Sequence, residues 1–213
     1  MSEKLFEKSC IDFCAALASD AAAPGGGGAA ALAGALAASL CAMAGRLTGS
    51  KPAFADRAGE INDLVARADS LRLSLLRLID ADAEGFTPLS KAYAIPKGEP
   101  GRAETLRRAT LAACKAPAEM MEALADCTAL LESLLQKCSP ILRSDVGCAA
   151  ALCAGALEAA AMNVFVNTKS LKGDPEAEAV ALRASRLLDS FLPRARAVSS
   201  QVLSLLREEG KNG

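Results

Sequence analysis

Pro24 is followed by four glycines, Gly25 to Gly28, which stand directly ahead of an uncharged, alanine-rich run. Consecutive glycines leave backbone N–H groups accessible. At the start of a helix those groups form the positive end of the dipole, where a carboxylate, a phosphate or a polar heterocycle is held. No strand pattern precedes the run and no phosphate-loop Lys follows it, so it matches neither nucleotide-binding fingerprint. The same residues also make a close-packing connection, and taken alone they leave both uses open. Asp82, in the segment LIDADAEGF, is the second candidate. Leu75, Ile79, Asp82 and Phe86 recur at i, i+4, i+7 and i+11, which puts this carboxyl on the apolar stripe of a helix, where burial raises its proton affinity. Such a group lines a ligand cleft, meets a cation or ends its helix near water. Asp80 and Glu84 fall on other faces and read as solvated.

Asp145, Asn163 and Asn167 form the third candidate set. Glu158 is the only further charge between Asp145 and Lys169, so these polar groups need partners: a ligand, neighbouring backbone, or for Asp145 a helix start. Asp145 and Asn163 are five helical turns apart, on one meridian but separated by ~27 Å. One chain cannot bring both to one reacting carbon; they hold opposite ends of a long ligand or serve separate sites, as across a dimer interface. The sequence contains no histidine. Proton transfer near neutral pH must therefore use Asp, Glu, Lys, Cys, Tyr or water. Eight cysteines lie at 10, 14, 41, 114, 127, 138, 148 and 153 without a CxxC pair, so no metal site is expected. Cys10 and Cys14 share a face with Phe6, Phe13 and Leu17, and Cys127 and Cys138 lie on a leucine and methionine stripe; all four read as reduced core fillers.

The elements that must position these groups are helices. Among 213 residues, 47 Ala and 31 Leu stand against 12 Val plus Ile, a balance that favours helix over strand. Periodicity and breakers predict helices over 3–18, 29–47, 53–86, 103–137, 145–169 and 175–207, with Pro117 and Pro193 bending the fourth and sixth. Three prolines and two glycines between Thr87 and Arg102 predict the one substantial loop. The fold class expected is all-α: one domain over the whole chain, an antiparallel bundle of about six helices, dimerised through surplus apolar surface. A formal net charge of −1 supplies no basic field for nucleic acid. Residues 21–45 carry no charge and are long enough to span a bilayer, but they are mostly Ala and Gly and read as a buried helix. The N-terminus lacks a secretory pattern, and a cytoplasmic location is expected.

The run LASDAAAPGGGGAAALAGALAASLCAMAGRLT, then LIDADAEGF, IPK at Ile95 to Lys97, SDVGCAA and NVFVN, taken in order, resembles the cyclodeaminase/cyclohydrolase family. The likeness spans nearly the whole chain. It implies an all-helical homodimer acting on one-carbon tetrahydrofolates, with the folate as substrate and no metal or other cofactor. The reactions implied are hydrolysis of 5,10-methenyltetrahydrofolate and cyclodeamination of 5-formimidoyltetrahydrofolate. By position it implies Asp82 and Lys97 as catalytic residues, and Gly25, Gly26, Gly27, Asp145, Asn163 and Asn167 as substrate-binding ones. In that reading Asp82 moves the proton, Lys97 or a water assists the leaving nitrogen, and Asp145 and the two asparagines hydrogen-bond the pterin. Gly28, Gly85 and Ser139 stand where the family has Ser, Ala and Asn. These departures keep a rival open: a catalytically silent helical dimerisation or folate-binding module.

Overall fold

The computed structural model describes residues 4–209; Glu3 and the expected tail 210–213 lie outside them. Among the described residues there are six α-helices and no strand: α1 Cys10–Leu17, α2 Gly26–Gly49, α3 Ala58–Tyr93, α4 Arg102–Lys137, α5 Arg143–Thr168 and α6 Pro175–Glu209. Single turns of 3-10 helix at Leu5–Glu7, Pro140–Leu142 and Lys169–Leu171, and a longer one at Pro52–Arg57, fill the connections.

Contacts at both ends of each pair fix the direction of the helices. Gly26 lies against Asn163, while at the other end of α2 the Thr48 hydroxyl accepts the Ser139 N–H at 3.1 Å, so α2 runs antiparallel to α5. Gly85 of α3 abuts Ala112 of α4, and Glu60 at the opposite end pairs with Lys137 at 2.7 Å. Ion pairs Arg107–Asp174, Arg183–Glu122 and Arg194–Glu132 instead run in the same order along both helices, so α6 lies parallel to α4. The core lies between α2, α4 and α5 and is closed by α3 on one side and α6 on the other.

Small residues set how near α2 comes to its neighbours. A Cβ built on Gly45 would lie 2.5 Å from Val65 Cγ2, a branched atom with little freedom to turn aside. Gly45→Ala should therefore destabilise the fold by about 1–3 kcal/mol through overpacking. Denaturant melts read this directly, and an unchanged midpoint would refute the close approach. The sequence expectation of a buried helix holds for α2, whose one charge, Arg46, lies in its last turn and pairs with Asp69 of α3. Both Gly26–Gly49 and Pro140–Leu171 are apolar and long enough to cross a bilayer, yet 61% and 50% of their most apolar stretches are buried inside the bundle.

Several elements depart from their sequence-based bounds. The first helix begins only at Cys10, where Ser9 accepts the Asp12 N–H; of its expected apolar face only Phe13 is buried, and Cys10, Cys14 and Leu17 are exposed. The third segment divides into the 3-10 stretch Pro52–Arg57 and α3. At its far end α3 runs through Pro88 to Tyr93, which shortens the expected loop to 94–101. A proline inside a helix costs about 3 kcal/mol. Burial of Leu89 and Ala92 against Ala109 and Ala113 of α4 offsets it, since one fully buried Leu contributes roughly 1.5–3 kcal/mol. Helices α4 and α6 likewise continue through Pro117 and Pro193. Cys127 and Cys138 are buried as expected, and burial pushes the Cys41 thiol up to about 12 and the Cys114 thiol to about 11, keeping both protonated.

Candidate active site

Helix directions bring the N-terminus of α2, the C-terminal half of α3, the N-terminal half of α4 and the end of α5 to one end of the bundle. A cavity of about 190 Å³ opens among them. Its polar lining consists of Gly25, Gly26, Gly27, Asp82, Asn163 and Asn167, and its apolar walls include Phe86, Ala113, Pro117 and Val166. Six of the eight residues singled out from the sequence thus meet in one place. Lys97 is exposed in the connection between α3 and α4 and does not line this cavity. Asp145 sits half-buried in the first turn of α5, also away from it, as the ~27 Å between Asp145 and Asn163 along that helix requires.

Asp82 is placed by the stripe that the periodicity predicts. Leu75 and Ile79, two turns and one turn earlier, are 0% and 1% exposed, so the next position on the same face comes to the cavity lining. The carboxylate meets the first turn of α2. That helix begins at Gly25, which has no side chain to cap it, and Asp82 accepts the Gly28 N–H from a different helix. The contact depends on Gly27: a Cβ there would lie 2.3 Å from Asp82 Oδ1 and 2.5 Å from Oδ2. Burial raises the Asp82 pKa above its ordinary value, and the Gly28 N–H opposes that shift only in part. Among the described residues lining the cavity, Asp82 is the one titratable group. No group of three or more Cys, Asp or Glu that could hold a metal ion occurs among the described residues.

Both asparagines take the backbone partners that the sequence left as one alternative, while lining the cavity. Asn163 Nδ2 donates to the Ala159 carbonyl one turn back at 2.8 Å, and the same amide faces Gly26 across the cavity. Asn167 Nδ2 reaches the Ala113 carbonyl of α4 at 3.5 Å. Asp80 is half-buried and not simply solvated: it accepts the Leu5 N–H at 2.7 Å and fastens the N-terminal segment to α3 beside the site. Ser139 lies at the opposite end of the bundle, where its hydroxyl accepts from Lys51 Nζ at 2.7 Å, so the departure at this position does not touch the cavity. At Gly28 a Cβ would come 3.3 Å from Pro24 Cβ, in a wall already filled by Ile79 and Phe13. Sequence reasoning did not single out Ala113 and Pro117; a proline in mid-helix was the available signal, and it was read only as a bend.

Comparison with known proteins identifies relatives over nearly the whole chain. The methenyltetrahydrofolate cyclohydrolase of Methylorubrum extorquens is 29% identical over 197 residues, covering 91% of this chain and 93% of its own length. The formimidoyltransferase-cyclodeaminase of Sus scrofa is 29% identical over 200 residues, of which this chain spans 37% of the full length. A crystal structure of formiminotetrahydrofolate cyclodeaminase from Thermotoga maritima shares the fold, with a TM-score of 0.80 at 24% identity over 92% of this chain and 98% of that one. The sequence pattern described as formiminotransferase-cyclodeaminase matches residues 9–186. That match takes in every element lining the cavity, and the chain belongs to the formiminotransferase-cyclodeaminase family.

Proposed function

We propose that the protein is a one-carbon tetrahydrofolate enzyme that opens the five-membered ring of 5,10-methenyltetrahydrofolate, giving 10-formyltetrahydrofolate. One observation carries this reading: a single, partly desolvated carboxylate with no cation beside it among the residues lining the cavity. The methenyl substrate is an amidinium-like cation, and its charge supplies the counter-ion that Asp82 lacks. The full-length likeness to a cyclohydrolase supports the same reaction.

In the forward direction Asp82 takes a proton from the attacking water as its oxygen bonds to the methenyl carbon. The tetrahedral centre then collapses: the bond from that carbon to N5 breaks, Asp82 returns the proton to N5, and the formyl group remains on N10. The second water proton leaves to solvent, so one proton is released per turnover. The N–H groups of Gly26 and Gly27, at the positive end of α2, face polar atoms of the ring system, and Asn163 hydrogen-bonds its edge. Lys97 and Asp145 are assigned to parts of the ligand outside this cavity. The protein acts as a homodimer in this proposal, supported by exposed apolar side chains on α2 and α5, where Leu36 and Met162 are 50% and 66% exposed.

The test is loss of the near-ultraviolet absorbance of 5,10-methenyltetrahydrofolate above the spontaneous rate. Enzyme-dependent decay is the expected result. Ammonia release from 5-formimidoyltetrahydrofolate without that decay would assign ring-closing deamination instead. Neither reaction would leave a silent binding module.

A further inference from the structure

Three prolines lie inside helices: Pro88 in α3, Pro117 in α4 and Pro193 in α6. Proline has no N–H, so each deprives the carbonyl four residues earlier of its helical donor. The carbonyls concerned belong to Glu84, Ala113 and Asp189. Glu84 and Asp189 are exposed residues, where solvent is available to replace the donor. Ala113 is only 6% exposed, and both it and Pro117 line the cavity that holds Asp82. A buried carbonyl without a donor is costly, and native structures pair nearly all of them.

The donor that reaches this carbonyl from outside its helix is Asn167 Nδ2, at 3.5 Å, the outer limit of a hydrogen bond. This turn of α4 is held from the other side as well: a Cβ on Gly85 of α3 would lie 3.3 Å from the Ala112 carbonyl oxygen and 3.7 Å from Ala113 Cα. A strong acceptor in the cavity wall, left without its helical donor by Pro117, is therefore held by one long hydrogen bond from a side-chain amide that lines the same cavity.

We propose that the Ala113 carbonyl, left without a donor in its own helix by Pro117, accepts the N–H groups on the pyrimidine edge of the bound pterin, and that Asn167 holds its place until substrate arrives. This assignment rests on the folate reading of the cavity. The donor and acceptor inventories match: the pterin offers N3–H and a 2-amino group as donors and a 4-oxo oxygen as acceptor. The released Asn167 amide donates to that oxygen while Ala113 accepts from the neighbouring N–H groups. Pro117 is a positioning residue, and its effect is a preference for ligands that carry those donors.

Calorimetric titration with 5-formyltetrahydrofolate tests the assignment without turnover. Pro117→Ala restores an N–H four residues after Ala113, and the α4 ladder then competes for the carbonyl. The variant should bind about tenfold more weakly, the effect of one hydrogen bond, with an unchanged or higher melting temperature because a helix-breaking residue has been removed. An analogue with methyl in place of the 2-amino group should bind wild type more weakly than the parent ligand and lose most of the difference between wild type and variant. Equal binding of the parent ligand by both proteins would overturn the carbonyl assignment while leaving the folate reading intact. An undiminished difference with the analogue would do the same. If wild type does not bind 5-formyltetrahydrofolate, the folate reading falls first and this assignment falls with it.

Discussion

Asp82→Asn should lower kcat for methenyltetrahydrofolate hydrolysis by about 10²–10⁴-fold, the range expected when a positioned proton carrier is lost. The substitution is nearly isosteric. The amide oxygen can still accept the Gly28 N–H that joins α3 to the start of α2, so the wall of the cavity stays in place. What disappears is the group that takes a proton from water and returns it to nitrogen, and no other titratable side chain among the described residues lines the cavity to replace it. The split between parameters discriminates further. If Asp82 served only as a counter-ion to a cationic substrate, KM would rise and kcat would hold. Near-wild-type kcat in this variant would remove Asp82 from the proton-transfer role.

The same carboxyl predicts a pH dependence whose sign is fixed. Its pKa in the folded protein is raised by burial, so the native state holds the proton more tightly than the unfolded chain does. Native stability therefore falls as pH rises from the ordinary carboxylate range through the raised value, and is flat above it. Replacing the carboxylate with a neutral amide removes this penalty at neutral pH, so the melting temperature of Asp82→Asn should equal or exceed that of wild type. Activity runs the opposite way. The free enzyme needs Asp82 ionised, so kcat/KM should climb with pH through the raised pKa and then level off.

These expectations concern a residue whose place is legible in the sequence, because the apolar stripe Leu75, Ile79 and Phe86 makes Asp82 conspicuous as the one charge on a buried face. The partner of that carboxylate is not legible in the same way. Gly27 lies 55 residues earlier in the sequence, and a glycine reports nothing about what it touches until helix directions are known. Helix existence followed from Ala and Leu content, while two kinds of error arose where tertiary packing overrode local signals. Pro88 predicts a helix end, but burial of Leu89 and Ala92 on α4 carries the helix past it. Cys10 and Cys14 have the spacing of a core face, but α1 is a two-turn helix at the edge that buries only Phe13. Pro117 is the subtler case. A proline in mid-helix is visible in the sequence, whereas the direction of the carbonyl it frees depends on which side of α4 meets the cavity.

Gly27→Ala should damage activity about as severely as loss of the carboxylate itself, while leaving the fold nearly unchanged. The added methyl would lie 2.3–2.5 Å from Asp82 Oδ1, Oδ2 and Cγ, far inside van der Waals contact. Something must move, and the terminal carboxylate turns more easily than the backbone of two packed helices. Once turned, it loses the Gly28 N–H and its line to the reacting carbon. A displacement of about 1 Å at a reacting group costs on the order of 10²-fold in rate, so kcat should fall by roughly that factor with little change in the denaturation midpoint. The two neighbouring cases bracket this result. Gly45→Ala meets branched carbon at 2.5 Å with no flexible end to move, so its cost appears as stability, whereas a Cβ on Gly26 would meet Asn163 Nδ2 at 3.4 Å, an ordinary contact that predicts a mild effect. If Gly27→Ala instead unfolds the protein as readily as Gly45→Ala, the contact is structural. If it keeps full activity, Asp82 does its work from a position other than the one it holds against the first turn of α2.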